Sequence, residues 1–226
     1  QKAGSYGKLS KRNPEEMLEG TRAEPSQNKR HPLDFALWKS AKPEEPACES
    51  PWGLGRPGWH IECSAMRTEI FRRRKVPFVI HGGGLDLIFP HHENEIAQAV
   101  GARREFAKLW AHNGLLTVAG QKMAKSLGNF ITLQELFQKA EPEVVRFYFL
   151  QTHYRSPLDF SWEKLEEAAH AYEGFEIFFE KWGASKESPS LAAGKERYAK
   201  DFLEAMDDDL NTPEALSVVF TLLSEC

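Results

Sequence analysis

The sequence predicts an α/β fold built on a parallel sheet and followed by an all-helical segment. Three observations predict it. Between residues 61 and 137 the pattern alternates helix, strand, glycine run, helix, strand, helix, the order of a parallel α/β sheet. From Trp162 onward the apolar residues keep a helical period throughout. The chain has 226 residues, 41% of them hydrophobic, which is enough for one large core or two small ones.

The elements follow in order. Residues 1–32 are polar and turn-rich, with one short helix expected at Pro14–Leu18. Leu33–Trp38 is the first apolar stretch, and a Pro/Glu loop follows over Lys42–Ser50. Gly53, Gly55, Pro57 and Gly58 lead into a helix from about Ile61 to Lys75. Val76–Ile80 reads as a short buried strand that delivers His81-Gly82-Gly83-Gly84 into a tight loop. Pro90 suits the first position of a helix running to about Val100, because its missing N–H costs nothing there. Leu115–Val118 is a strand candidate, and Thr132-Leu133-Gln134-Glu135 is a capping box that opens another helix. Trp162–Trp182 is a long amphipathic helix and Ala184–Lys195 a linker. Glu196–Asp208 and Pro213–Glu225 complete the helical part, the second announced by Asn211-Thr212-Pro213. The boundary between the α/β and helical parts falls near Pro157–Ser161.

Composition excludes several classes of protein. No apolar run approaches the ~20 residues that span a bilayer, and the first residues carry no signal-peptide pattern. Three cysteines (Cys48, Cys63, Cys226) do not make a disulfide scaffold and suit a reducing compartment, so a cytoplasmic location without membrane attachment is expected. The net charge of −4 does not by itself advertise nucleic-acid binding. The chain opens on Gln1 and stops at Leu222–Cys226 inside a helical pattern, which reads as an interior piece of a longer protein.

Chemistry concentrates in two places. His60, His81, His91 and His92 lie within 33 residues of one another, with Cys63, Glu93 and Glu95 among them. His91 and Glu95 stand at i and i+4, so one helix face presents an imidazole and a carboxylate ~5–6 Å apart. With a thiolate from Cys63 this donor set favours Zn²⁺ over Mg²⁺ or Ca²⁺. Each residue alone also fits a bland role: a helix cap, a solvated carboxylate, a small buried hydrophobe. His81-Gly82-Gly83-Gly84-Leu85-Asp86 allows close backbone approach to a ligand, with Asp86 as an acceptor, or is a tight turn. The second place is Lys122-Met123-Ala124-Lys125-Ser126, flanked by Gly120 and Gly128. Paired lysines on a mobile loop suit the charge that develops when a phosphate anhydride breaks; a solvated surface loop is the alternative. Arg72-Arg73-Arg74-Lys75 ends a helix, where the dipole favours cations, and contact with RNA phosphates is the other reading. Phe175–Trp182 reads as core packing.

Taken together, three motifs resemble the cysteinyl-tRNA synthetase family of class I aminoacyl-tRNA synthetases. They are Gly58-Trp59-His60-Ile61-Glu62-Cys63-Ser64-Ala65-Met66, the run from His81 through Pro90-His91-His92-Glu93-Asn94-Glu95, and Lys122-Met123-Ala124-Lys125-Ser126. The third is a form of that class's lysine signature loop, with Ala124 where a serine is usual. The likeness extends from Ser5–Ser10 to Met206–Ala215.

The resemblance implies a Rossmann-like parallel-sheet catalytic domain with a helical bundle after it. Residues 1–32 would end a connective insertion, 33–160 form the second half of the catalytic domain, and 161–226 start the bundle. It implies ATP-dependent activation of L-cysteine, with Mg²⁺, and transfer to tRNA(Cys) by a monomer. Cys63, His91 and Glu95 correspond to three of four zinc ligands, where the metal selects the substrate thiol over a hydroxyl. Lys122 and Lys125 correspond to ATP-binding, catalytic lysines. Trp59 and His81 resemble walls of the cysteine pocket, and Asp86 a nucleotide or substrate contact. The family's fourth ligand and its His-Ile-Gly-His-type motif lie upstream of Gln1, and its anticodon domain is missing, so the 226 residues alone are expected to be inactive in ATP–pyrophosphate exchange. Two other functions were open on sequence grounds. A cysteine ligase of the mycothiol-pathway type shares the core, and tRNA charging separates it. A non-catalytic zinc-stabilised module leaves Lys122 and Lys125 without a role, and unfolding on zinc removal would identify it.

Overall fold

The computed structural model describes residues 6–13, 29–31, 33–182 and 189–225; the helix expected at Pro14–Leu18 lies outside the described residues. The chain forms two compact units, residues 1–112 and 113–226.

In the first unit, β1 (Trp38–Ser40) pairs antiparallel with β2 (Gly55–Pro57), Lys39 opposite Arg56. Helix α1 spans Trp59–Arg74, two residues ahead of its expected start, and ends on Lys75 in the left-handed region. Gly58 precedes it because a Cβ there would lie 2.3 Å from the Ala36 carbonyl oxygen. The strand expected at Val76–Ile80 is displaced. Strand β3 is Ile80–Gly84, so the glycine run is itself the strand rather than a loop. It lies beside β4 (Leu109–Asn113), and a Cβ on Gly82 would stand 3.3 Å from the Ala111 carbonyl oxygen. Val76, Val79 and Ile80 are exposed, against the buried strand expected. Pro90 does not open a helix either. Ile88–His92 is a kinked π-type turn with Phe89 extended, and helix α2 begins at Glu93 and ends at Gly101.

The second unit holds β5 (Leu116–Val118), central between antiparallel β6 (Gln121–Lys122) and parallel β7 (Leu158–Phe160). The β5–β6 hairpin turns through Ala119 and Gly120, both left-handed, as a two-residue turn matched to strand twist requires. Thr132 and Glu135 exchange both bonds of the expected capping box at the start of α3 (Leu133–Phe137). Helices α4 (Pro142–Leu150) and α5 (Trp162–Trp182) pack on the sheet around Leu136, Val144, Val145, Phe147, Tyr148, Phe160, Leu165 and Ala168. Phe175 joins this core against Phe147 and Phe220, whereas Phe179 is exposed, so only part of Phe175–Trp182 is core. Helix α6 (Pro189–Asp207) starts inside the stretch expected to be a linker, with Pro189 at its first turn where a missing N–H is harmless. Helix α7 (Thr212–Glu225) matches expectation within a residue.

Gly114 marks a tight crossing. A Cβ there would sit 2.1 Å from the Ser156 carbonyl oxygen and 2.7 Å from the Pro157 nitrogen. Backbone cannot yield as a side-chain tip does. Gly114→Ala should cost about 2 kcal/mol or more and lower the melting temperature by several degrees. A melt within a degree of the parent's would show that the crossing relaxes freely.

Candidate functional site

Helix α1 carries Trp59, His60 and Cys63; the π-type turn carries His91 and His92; α2 carries Glu95. Ligand atoms of Cys63, His91 and Glu95 lie within 4.8 Å of one another. The three sequence-predicted ligands therefore meet. Cys48 stays apart in an exposed bridge to Gly55.

Glu95 is 0% exposed, and neither of its carboxylate oxygens accepts a hydrogen bond. His91 Nε2 stands 2.9 Å and His81 Nε2 3.5 Å from Oε1, but neither is aligned as an N–H donor. A buried carboxylate without a hydrogen bond is costly unless a cation faces it. Burial, then the charges of Glu95 and Glu62, push the Cys63 thiol up from its ordinary value. A divalent cation would reverse that pressure and favour the thiolate. The donor set thus fits a zinc ion.

The surrounding imidazoles orient one another. His60 Nδ1 lies 2.7 Å from His91 Nδ1, so one of the two carries the proton between them and Nε2 of His91 remains directed at Glu95. Burial lowers both pKa values. Trp59, 57% exposed, lies over the His91 ring at 4.1 Å between centroids. His81 and His92 form a second donor group around the same Glu95. His92 pairs with His112 at 2.8 Å, and burial, reinforced by His81, His112 and His91, pushes it down to about 3. His60 and His92 belong to the histidine cluster of the sequence, but no spacing gives them a role, and His112 lies outside that cluster; the π-type turn, which buries His91 and His92, gives the cluster its meaning. Asp86 is exposed in the turn after β3 and is not among the converging donors.

The start of α2 is tied down from a distance in sequence. Glu93, fully buried, accepts hydrogen bonds from the backbone N–H groups of Gly7 (2.8 Å) and Ser10 (2.9 Å). Tyr6 donates to Asn94 at 2.6 Å, and burial followed by the Glu93 charge raises the phenol to about 12.

In the other unit Lys122 ends β6 and Lys125 opens a single 3-10 turn (Lys125–Leu127). Gly120 and Gly128, which flank the loop, are both left-handed. Asn129 spans the loop: its side-chain oxygen accepts from Ala124 N–H at 2.9 Å and its amide donates to the Lys122 carbonyl at 3.2 Å. Asp159 accepts from Gly120 N–H and the Thr117 hydroxyl, which hold its carboxyl below the ordinary range. Lys125 Nζ rests 5.3 Å from the centre of the Phe130 ring.

Solved structures share the fold, among them one from Agrobacterium and one from Mycobacterium. The LeuRS of Agrobacterium radiobacter K84, in a ternary complex with tRNA and LeuAMS, matches with a TM-score of 0.60 at 15% identity, over 79% of this chain and 29% of that one. The methionyl-tRNA synthetase of Mycobacterium tuberculosis bound by methionyl-adenylate matches with a TM-score of 0.52 at 20% identity, over 68% and 34%. The fold is that of a class I aminoacyl-tRNA synthetase catalytic domain. Residues 1–170 match the family described as tRNA synthetases class I (C) catalytic domain, and residues 201–226 match the DALR domain. The chain belongs to that class I (C) synthetase family. It is 54% identical to the cysteine--tRNA ligase of Persephonella marina and 52% identical to that of Aquifex aeolicus, over 97% of its own length. It spans about 46% of those relatives' length. No helix among the described residues is long and apolar enough to cross a membrane.

Proposed function

We propose that the protein carrying this chain activates L-cysteine with ATP and Mg²⁺ as cysteinyl-adenylate, then transfers it to tRNA(Cys), acting as a cytoplasmic monomer. The observation that supports this reading is the convergence of a thiol, an imidazole and a buried carboxylate without hydrogen bonds, in a chain of the class I (C) family. Cys63, His91 and Glu95 would hold a zinc ion. Bound there, zinc supplies a Lewis-acid partner for the substrate's sulfur that a serine hydroxyl does not match at neutral pH.

This chain's own residues do the rest. His60 fixes the ring of His91 through their shared proton. Trp59 and His81 wall the amino acid, and Asp86 contacts nucleotide or substrate. Lys122 and Lys125 neutralise the charge that builds as the α,β-phosphate bond of ATP breaks, with Asn129 setting the backbone between them. Residues 1–32 belong to the connective insertion, 33–160 to the catalytic domain and 161–226 to the bundle.

The test is metal analysis and ATP–pyrophosphate exchange on the full-length protein. About one zinc per chain, exchange driven by cysteine but not serine, and charging of tRNA(Cys) are expected. Exchange without charging would favour a cysteine ligase with another acceptor, and no cysteine-dependent exchange would overturn the reading.

A further inference from the structure

Outside the site described, a basic concavity of the first unit lies between the second half of α1 and the segments flanking residues 77 and 105. It has a volume of about 230 Å³, and Arg67, Arg72, Arg104 and Lys108 line it. Its apolar wall is aromatic. The Arg67 guanidinium lies 4.2 Å from the centre of the Phe106 ring and 5.1 Å from that of Phe78.

The balance of charge within the cleft is uneven. Arg72 is engaged by Glu69 through a forked contact at 3.0–3.2 Å. Glu105 is the acidic residue lining the cleft, and its backbone carbonyl accepts from Arg67 Nη1 at 3.2 Å. Nε of Arg67 is buried and has no hydrogen-bond partner. Burial first, and then the neighbouring Arg104 charge, disfavour the charged form of Arg67, while Glu95 favours it. Two guanidinium groups and an ammonium around one concavity repel each other, and an anion between them relieves that repulsion. Arg67 also gives Nη2 to the Thr68 hydroxyl at 3.4 Å. Guanidinium recognises phosphate through paired N–H donors, and the exposed Arg104 and Lys108 are the cations of the cleft that face solvent.

We propose that this cleft seats a phosphate group of an RNA backbone. The inference rests on the reading above, in which RNA is a partner, and adds a contact surface to it. RNA is favoured over a free nucleotide because the cations are spread along an open cleft rather than closed around one group, and because backbone phosphates are what Lys and Arg clusters neutralise.

The experiment uses the full-length protein, fluorescently labelled tRNA(Cys), and the double variant Arg104→Glu with Lys108→Glu. Both residues are exposed and lie outside the proposed catalytic machinery. Anisotropy titrations at several salt concentrations should show Kd weakened about tenfold at low salt, with a log–log salt slope shallower by about 1–2. Cysteine-dependent pyrophosphate exchange should match the parent. Unchanged Kd and slope would overturn the proposal. If circular dichroism shows the charge-reversed protein to be misfolded, Arg104→Ala with Lys108→Ala carries the same test with a smaller expected loss. AMP is titrated against the labelled tRNA as a second arm. Competition by AMP that the double variant abolishes would make the cleft a mononucleotide site and overturn the RNA assignment. A parent that neither exchanges nor charges defeats the functional reading. A parent that does both, with variants that bind tRNA as it does, defeats the cleft alone.

Discussion

Glu95→Gln is expected to abolish zinc retention and lower cysteine activation about 10³-fold, the several kcal/mol that a lost metal contact carries. The same change should have the opposite sign on the metal-free protein. Glu95 is wholly buried and accepts no hydrogen bond, so without a cation its charge is a liability that a neutral amide of the same shape relieves. In excess chelator, Glu95→Gln should therefore melt higher than the parent, by roughly 1–3 kcal/mol of stability. The comparison needs three measurements: metal content, exchange kinetics, and melting with and without chelator. A variant less stable than the parent in chelator would mean that His81 and His91 already satisfy the carboxylate. The metal reading would then lose its main support.

Lys125→Ala is expected to lower the rate of adenylate formation about 10²–10³-fold, the usual loss when one donor to a developing charge is removed. Zinc content and the KM for cysteine should stay at parental values, because Lys125 is not among the donors that meet at Cys63, His91 and Glu95. Stability should also hold, since the residue is exposed and its ammonium rests against the face of Phe130. Single-turnover measurement at saturating ATP separates the chemical step from binding. A loss confined to the KM for ATP would make Lys125 a binding residue only.

Much of this arrangement was legible before any coordinates. The Thr132–Glu135 capping box and helix Trp162–Trp182 depend on local signals, side chain to nearby backbone and an apolar stripe of helical period, and both stand where they were read. The strand was misplaced at Val76–Ile80 because β-branched residues mark strand propensity, while pairing with Leu109–Asn113 depends on backbone approach that the glycines permit. The start of α6 was missed because Ser188-Pro189-Ser190 resembles a linker in composition, although Pro189 suits a first helical turn. At the site, His91 and Glu95 still converge although the expected helix start moves, since the π-type turn directs His91 inward and the first turn of α2 directs Glu95 inward. The pairings His60–His91 and His92–His112 depend on ring orientation across elements, which no spacing rule encodes.

The clasp between Glu93 and residues 7 and 10 has a consequence for how this protein tolerates change. It grips main-chain N–H groups, so at position 10 it is blind to the side chain, whereas Gly7, at φ 96°, holds a backbone that favours glycine. Drift at position 10 can proceed without loosening the neighbourhood of His91 and Glu95, provided the backbone keeps its donor. Proline, which has none to offer, is the exception.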